Sequence, residues 1–375
     1  MSGRRGGLAE LALLFGRLSL TAFGGPAAHI ALIRDEVVRR RGWLTDNELL
    51  ELIAASNLIP GPTSTELAMH VGHRRRGVPG LVVAGIAFIV PASLVVAVLA
   101  WAYLAFGARP EAAVVLATIA PTVVAVLVGA AVDLGRSISR DPLRVAIAAV
   151  ACVAALVGVS EVAVLLGGGL VALVARTAIR PRGMVALPVL TALAAASVTA
   201  ATLPGLALAF LKIGALLFGS GYVLVAFLRS ELVEGLGWLT ERQLLDAVAV
   251  GQVTPGPLFT TATFVGWVVL GPAGALVATV AIFLPGFLFV LASVPVLERL
   301  RASARATAIL DGVGAAALGL IVAVAAQLAR AAIVTPVDAL IAIVAGVLIV
   351  TRLLGPGTVV LLAAAAGLAR AVVPG

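Results

Sequence analysis

Two residues of this sequence place a cation inside an otherwise apolar run, at equivalent points of two similar stretches. Arg17 lies in LAELALLFGRLSLT; Lys212, the chain's one lysine, lies 195 positions later in LPGLALAFLKIGAL. A cation at the centre of a bilayer costs about 2.5–3.5 kcal/mol on insertion scales, so each should face protein or water. Each run then meets a chain-breaking tip: Gly24-Gly25-Pro26 after Arg17, Gly219-Ser220-Gly221 after Lys212. A second pair of tips, Pro60-Gly61-Pro62 and Pro255-Gly256-Pro257, repeats at the same shift. A helix starting after a tip aims free N–H groups and its positive dipole end forward, which suits an anion. Thr63, Ser64 and Thr65 add hydroxyls at one tip and Thr260 and Thr261 at the other, while Asn57 and Gln252 are matched amides just before each Pro-Gly-Pro. Together these predict an electropositive midplane site for a small anion. The plainer readings are cations that snorkel to an interface and glycines that merely allow close helix packing. Four tips in two symmetric pairs argue against the second.

Protonatable groups are unequally shared. Glu66, His70 and His29 stand in the first stretch only, opposite Thr261, Val265 and Leu224 in the second. Such a group within a membrane is a candidate proton relay. The alternative is an acid paired to Arg17 or a histidine satisfied by backbone. Asp133, Glu161 and Asp311 fall near helix ends, where they should be solvated or paired. Arg34 and Glu36, matched by Arg229 and Glu231, should pair at an interface. No GxxxxGK[ST] phosphate loop is present, and three histidines with Cys152 offer no usual metal or haem set. No cofactor and no enzymatic activity are expected.

The elements that must carry these residues are membrane helices. Apolar residues make up 62% of the 375 positions and charged ones 12%, with a mean hydropathy of +1.17. A soluble domain carries about 25% charge, so a soluble enzyme is excluded, as is a disordered chain. The net charge of +8 comes from arginines in short segments such as Arg39–Arg41, Arg74–Arg76 and Arg136/Arg140/Arg144. That is the positive-inside pattern of cytoplasmic loops, not a nucleic-acid surface. The start, MSGRRGGLAELALLFG, reads as a retained cytoplasmic N-terminus of a multi-pass protein of the cytoplasmic membrane.

The two stretches belong to a duplication. Phe23–Pro62 overlies Phe218–Pro257, with Gly42-Trp43-Leu44-Thr45 on Gly237-Trp238-Leu239-Thr240. At a shift of 194, Gly77, Gly80 and Pro91 fall on Gly271, Gly274 and Pro285. The first repeat is read as 1–180 and the second as 205–375, joined by a transmembrane helix over 181–204. A span needs roughly 20 apolar residues, which marks 80–106, 112–134, 144–159, 161–179 and 184–203, then 272–297, 306–328, 336–351 and 356–373. Counting crossings from Arg74–Arg76 inside puts Arg176/Arg180/Arg182 inside and starts the second repeat on the opposite face. There Arg39–Arg41 has become Glu234-Gly235-Leu236 and Arg74–Arg76 has become Val268-Val269-Leu270; the charge returns at Arg299/Arg301/Arg305. The fold expected is all-α, of two inverted-topology repeats with broken helices or hairpins near the midplane, an architecture common in transporters. Thr45-Asp46-Asn47-Glu48 and Thr240-Glu241-Arg242-Gln243 read as capping boxes.

FGGPAAHI (23–30), RRGWLTDNELLELIAASNLIPGPTSTELA (40–68), FGSGYV and TPGPLFTTATFVG resemble the chromate ion transporter family in its long, two-repeat form. The resemblance covers essentially the whole chain. It implies a cytoplasmic-membrane carrier that exports chromate, with proton or other ion coupling. The sequence departs from the first-half pattern at Ser220, where a second glycine is expected, and at Leu224, which is not histidine. Arg17, Lys212 and the helix starts after the four tips are the candidate anion ligands, with His29, and Glu66 or His70 the candidate proton carriers. Expected partners are chromate or sulfate, a coupling ion, membrane lipid and a second copy as a homodimer. Sulfate or another oxyanion as substrate, an uncoupled anion channel, and a non-transporting sensor or assembly factor remain open.

Overall fold

A computed structural model of the chain describes residues 7–22, 25–177, 200–218, 221–294 and 303–372. The expected connecting helix over 181–204 therefore lies almost wholly outside the described residues, as do Arg180, Arg182, Arg299 and Arg301. Among the described residues every regular element is helical, and the chain is an all-α, polytopic membrane protein of two repeats.

The first repeat opens with α1 (Leu8–Thr21) and α2 (Gly25–Arg34), the latter continuing as a π-helical turn over Asp35–Arg40. These run as a hairpin: Arg17, midway down α1, pairs with Glu36 on the return leg, and Arg41 lies 3.9 Å from Glu10 at the start of α1. Thr45 then caps α3 (Asp46–Ser56). Its hydroxyl accepts from the Glu48 amide at 3.2 Å, while the Glu48 carboxylate accepts from the Thr45 amide at 2.8 Å, the reciprocal box expected. Pro60-Gly61-Pro62 stops this helix, and α4 (Thr63–Phe106) begins.

α4 is not one straight rod. Arg76 leaves helical geometry and Gly77 takes φ +62°, which a side chain rarely tolerates. The chain doubles back there so tightly that Gly72 and Gly80 face one another, and a Cβ on either would meet the other's carbonyl. The first arm, 63–75, therefore returns from the Pro-Gly-Pro tip, and Arg74 meets Glu48 at 3.2 Å to close a second hairpin, α3 with that arm. The guanidiniums of Arg41 and Arg75 lie 5.5 and 4.7 Å from the Trp43 ring centre. Both hairpins thus open at one arginine-rich end and point their tips inward.

The second arm, 78–106, runs about 40 Å at about 1.5 Å per residue to the far end. There Tyr103 donates to Asp246 at 3.0 Å, on α10 (Glu241–Val253) of the second repeat. α10 starts at that far end and descends to its own tip at Gly256, so the two repeats insert their hairpins from opposite ends. α5 (Pro110–Ile138) runs back, followed by α6 (Pro142–Leu156) and α7 (Glu161–Thr177). The second repeat copies the order: α8 (Leu203–Leu216), α9 (Val223–Leu228) with a π turn over Arg229–Gly235, α10, α11 (Thr261–Ser293), α12 (Ala304–Ala332), α13 (Pro336–Val350) and α14 (Pro356–Val372). Thr240 and Gln243 repeat the capping box, and Gly271 repeats the positive-φ bend at +64°.

Among the described residues, four helical stretches are long and apolar enough to cross a membrane: Thr63–Phe106, Pro110–Ile138, Leu258–Ser293 and Ala304–Ala332. The expected spans at 144–159, 161–179, 336–351 and 356–373 are present as the shorter α6, α7, α13 and α14. Lipid gives little hydrophobic drive between helices, so close contact must come from small residues. Gly168 on α7 and Gly312 on α12 touch through backbone, and Gly214 on α8 sits against the Ile282 carbonyl of α11. Asp141, Arg144, Arg176 and Asp311 form one ion-pair network joining α6, α7 and α12.

Candidate functional site

The tips meet at the centre of the molecule. The Gly61 amide donates to the Leu217 carbonyl at 2.9 Å, and the Gly256 amide donates to the Ala22 carbonyl at 3.1 Å. Leu217 and Ala22 are the residues that end α8 and α1. Each Pro-Gly-Pro tip is therefore seated on the broken helix of the other repeat. Gly61 and Gly256 have φ of +140° and +94°, and a Cβ at Gly61 would collide with the Glu66 carboxyl.

A cavity of about 710 Å³ adjoins these tips, bounded by Asn57, Thr63 and Ser64 of one repeat and Gly221, Tyr222 and Phe259 of the other. α4 starts here with Pro62 at its cap, and Pro62 supplies no side-chain acceptor. The amides of Thr65 and Glu66 bond to the Pro62 carbonyl at 2.8 and 3.1 Å. Those of Thr63 and Ser64 have no partner within the helix and lie at the cavity wall, as helix geometry requires of a first turn. Hydroxyls, an amide and a helix start in a concave space can hold an anion through hydrogen bonds.

The other tip is different. Thr260 and Thr261 do not offer their hydroxyls to the cavity; they donate to the carbonyls of Pro257 and Leu258 at 2.9 and 2.7 Å. A short 3-10 turn over Leu258–Thr260 brings Leu258 and Phe259 to the wall instead. Thr65 is buried, and its hydroxyl has no partner. Gln252 stands behind the wall, with its Oε1 3.5 Å from the Tyr222 hydroxyl. Gly25 opens α2, whereas Gly24, Gly219 and Ser220 lie outside the described residues.

Arg17 and Lys212 stand apart from these groups. Neither lines the tip cavity. Arg17 pairs with Glu36, which also holds Arg41 and, at 3.3 Å, Arg40. Lys212 pairs with Glu231 at 2.5 Å and borders a separate cavity of about 260 Å³ at the far end, with Glu161 and Gln327. The cause is the hairpin: a glutamate 19 residues on returns beside each cation and neutralises it. Arg34 and Glu36 are both ion-paired, but not to each other. Arg34 binds Asp46 at 2.7 Å, and its repeat counterpart Arg229 binds Glu241 at 2.6 Å.

Glu66 is fully buried one turn into α4, and neither carboxyl oxygen has a hydrogen-bond partner. It is not paired to Arg17. His70 follows one turn later, also buried. His29 lines the cavity; its Nε2 lies 3.0 Å from the Ala22 carbonyl, its Nδ1 has no partner, and its ring packs edge-on to Phe88. The Ala22 carbonyl thus serves both His29 and the Gly256 tip.

Among the wall residues that sequence reasoning did not single out as site residues are Tyr222, Phe259, Asp133 and Arg352. Tyr222 had a signal, being one of two tyrosines and next to a tip. Asp133 and Arg352 had none, because they lie 219 residues apart and only packing joins them.

The description "Chromate transporter" fits a family whose profile matches residues 9–173 and again 204–368. The chain belongs to the chromate transporter family. It is 34% identical over 346 residues to the chromate transport protein of Cupriavidus metallidurans, covering 90% of this chain and 86% of that one. To the chromate transport protein of Pseudomonas aeruginosa it is 36% identical over 340 residues, 86% and 81% of the two chains. A probable chromate transport protein of Synechococcus elongatus is 31% identical over 333 residues, 86% and 85%. No solved structure matches the chain. The doubled match makes this chromate transporter family member a two-repeat protein, as the tips do.

Proposed function

We propose that the chain is a secondary transporter that carries chromate, a tetrahedral dianion, out of the cell across the cytoplasmic membrane, with a proton as coupling ion. The observation that carries this reading is the cavity at the meeting of the tips, where the Thr63 and Ser64 amides and hydroxyls, Asn57 and His29 converge. A small divalent oxyanion has the acceptor atoms to match those donors. The names of the similar proteins favour chromate over other oxyanions.

Glu66 takes the proton. Charging a buried carboxyl without partners is costly, so its proton state follows whether water reaches the tip. Its contact with Gly61 lets that state act on the tip's shape. His70, one turn away, extends the path. Alternation comes from the hairpins rocking against the long helices, with the cross-repeat bonds of Gly61 and Gly256 moving as a unit. The arginine-rich end, with Arg39–Arg41 and Arg74–Arg76, faces the cytoplasm by the positive-inside rule, and the N-terminus lies there too.

The test is chromate uptake by everted membrane vesicles, with and without an imposed pH gradient and competed by sulfate. Uptake that needs the gradient and resists sulfate supports a coupled, selective exporter. Gradient-independent uptake points to a uniporter or channel, and equal competition by sulfate makes chromate incidental.

A further inference from the structure

Among the described residues bounding the tip cavity, Arg352 is the one with a permanent positive charge. It sits on the link between α13 and α14, exposed, and its guanidinium meets Asp133 Oδ1 at 3.1 Å. Asp133 also bounds the cavity and takes a second bond, 3.0 Å, from Arg136. Arg136 in turn donates to the Val350 carbonyl at 3.2 Å, which ties the α13 end to α5.

The backbone of Arg352 is unusual. Its φ is +61°, and it is the single non-glycine residue with positive φ among the described residues. A left-handed seat at a helix end normally goes to glycine. The first repeat obeys: Gly158, at a shift of 194, follows α6 with φ +87°. The two turns are built alike, since the Gly158 amide donates to Ala155 at 3.1 Å and the Arg352 amide to Ile349 at 3.0 Å. The fold therefore asks for glycine at this seat, and the second repeat carries arginine there. Strain kept where a cheaper residue exists points to use.

Its partner differs between repeats in the same way. Asp133 corresponds to Gln327, again at 194. Gln327 and Gly158 both border the smaller far-end cavity, so the Asp–Arg pair has no counterpart at the equivalent positions; the cations bordering that cavity, Lys212 and Arg229, are paired with Glu231 and Glu234 instead. This aspartate–arginine pair, with its arginine on a left-handed backbone, belongs to the tip cavity and not to its repeat-related position.

We propose that Arg352 is the residue that captures the oxyanion at the cavity mouth, with Asp133 as the internal competitor the anion displaces. This rests on the transport reading above. An arginine presents a planar fork of donors that suits a tetrahedral oxyanion as well as it suits a carboxylate. In the resting state Asp133 occupies the fork and keeps unneutralised positive charge off the mouth. An entering dianion outbids a single carboxylate, frees Asp133 to its second partner Arg136, and passes to the Thr63–Ser64 helix start.

Chromate uptake kinetics in everted vesicles test this, with purified protein in detergent for tryptophan-fluorescence titration by chromate. Arg352→Gly removes the side chain while suiting the left-handed backbone, so it should fold; KM and the apparent Kd should rise at least tenfold. Arg352→Lys should recover part of that loss. Asp133→Asn should lower KM several-fold, an effect that a merely structural ion pair would not produce. An Arg352→Gly protein with unchanged KM and Kd overturns the proposal, as does an Asp133→Asn protein with a raised KM. Wild-type vesicles that move no oxyanion overturn the transport reading itself, and that result is read before any variant is compared.

Discussion

The amide of Gly61 reaches across the molecule to the carbonyl of Leu217 at 2.9 Å, and Gly256 does the same to Ala22 at 3.1 Å. The tip of each repeat completes the broken helix of the other. Each tip amide finds its acceptor in the other repeat, and an unmet buried polar group costs about 1–3 kcal/mol. The interlock gives a physical reason for the two repeats to act as one body.

Gly61→Ala should therefore be severe. Its φ of +140° is hostile to a side chain, and the new Cβ would strike the Glu66 carboxyl. A strained backbone of this kind costs about 1–3 kcal/mol. The expected result is a lowered Tm in detergent and chromate uptake near background. Gly42→Ala, at a positive-φ turn with open space around it, should cost less and leave uptake measurable.

Glu66→Gln should leave the protein folded, since no hydrogen bond to the carboxyl is lost. Uptake should stop responding to an imposed pH gradient while downhill chromate movement continues. A variant that still concentrates chromate against its gradient when the pH gradient is applied would move the proton elsewhere.

The hydroxyls of the two tips should separate cleanly. Thr63→Val combined with Ser64→Ala should weaken chromate binding by roughly tenfold or more, because hydrogen bonds to charged groups are worth about 1.5–3 kcal/mol each. Thr261→Val should leave the apparent Kd within about twofold, since that hydroxyl is spent on the Leu258 carbonyl at 2.7 Å. Titration of the purified variants with chromate reads both.

Lys212→Met should destabilise by about 2 kcal/mol, because it strands Glu231, whose bond to Lys212 is charge-assisted. Adding Glu231→Gln should restore most of the Tm. Uptake by the folded double variant shows whether Lys212 is a strut; a folded double variant without anion binding would return Lys212 to the list of anion ligands. Arg17→Met should cost less, about 1 kcal/mol or below, since Glu36 keeps Arg40 and Arg41.

Much of this protein is determined by local sequence. Apolar length and charge spacing set helices and membrane residence, Thr45 and Thr240 start their helices through residues three positions away, and the repeat shift exposes the paired tips. These depend on neighbours in the chain, which is why composition and period reveal them. What faces what depended on the fold. The hairpins carried Glu36 and Glu231 onto Arg17 and Lys212. Thr260 and Thr261 turned inward because a 3-10 turn put the carbonyls of Pro257 and Leu258 within reach of their hydroxyls. The Asp133–Arg352 pair needed α5 and the α13–α14 link brought together across 219 residues, a contact decided by helix packing and invisible to any local pattern.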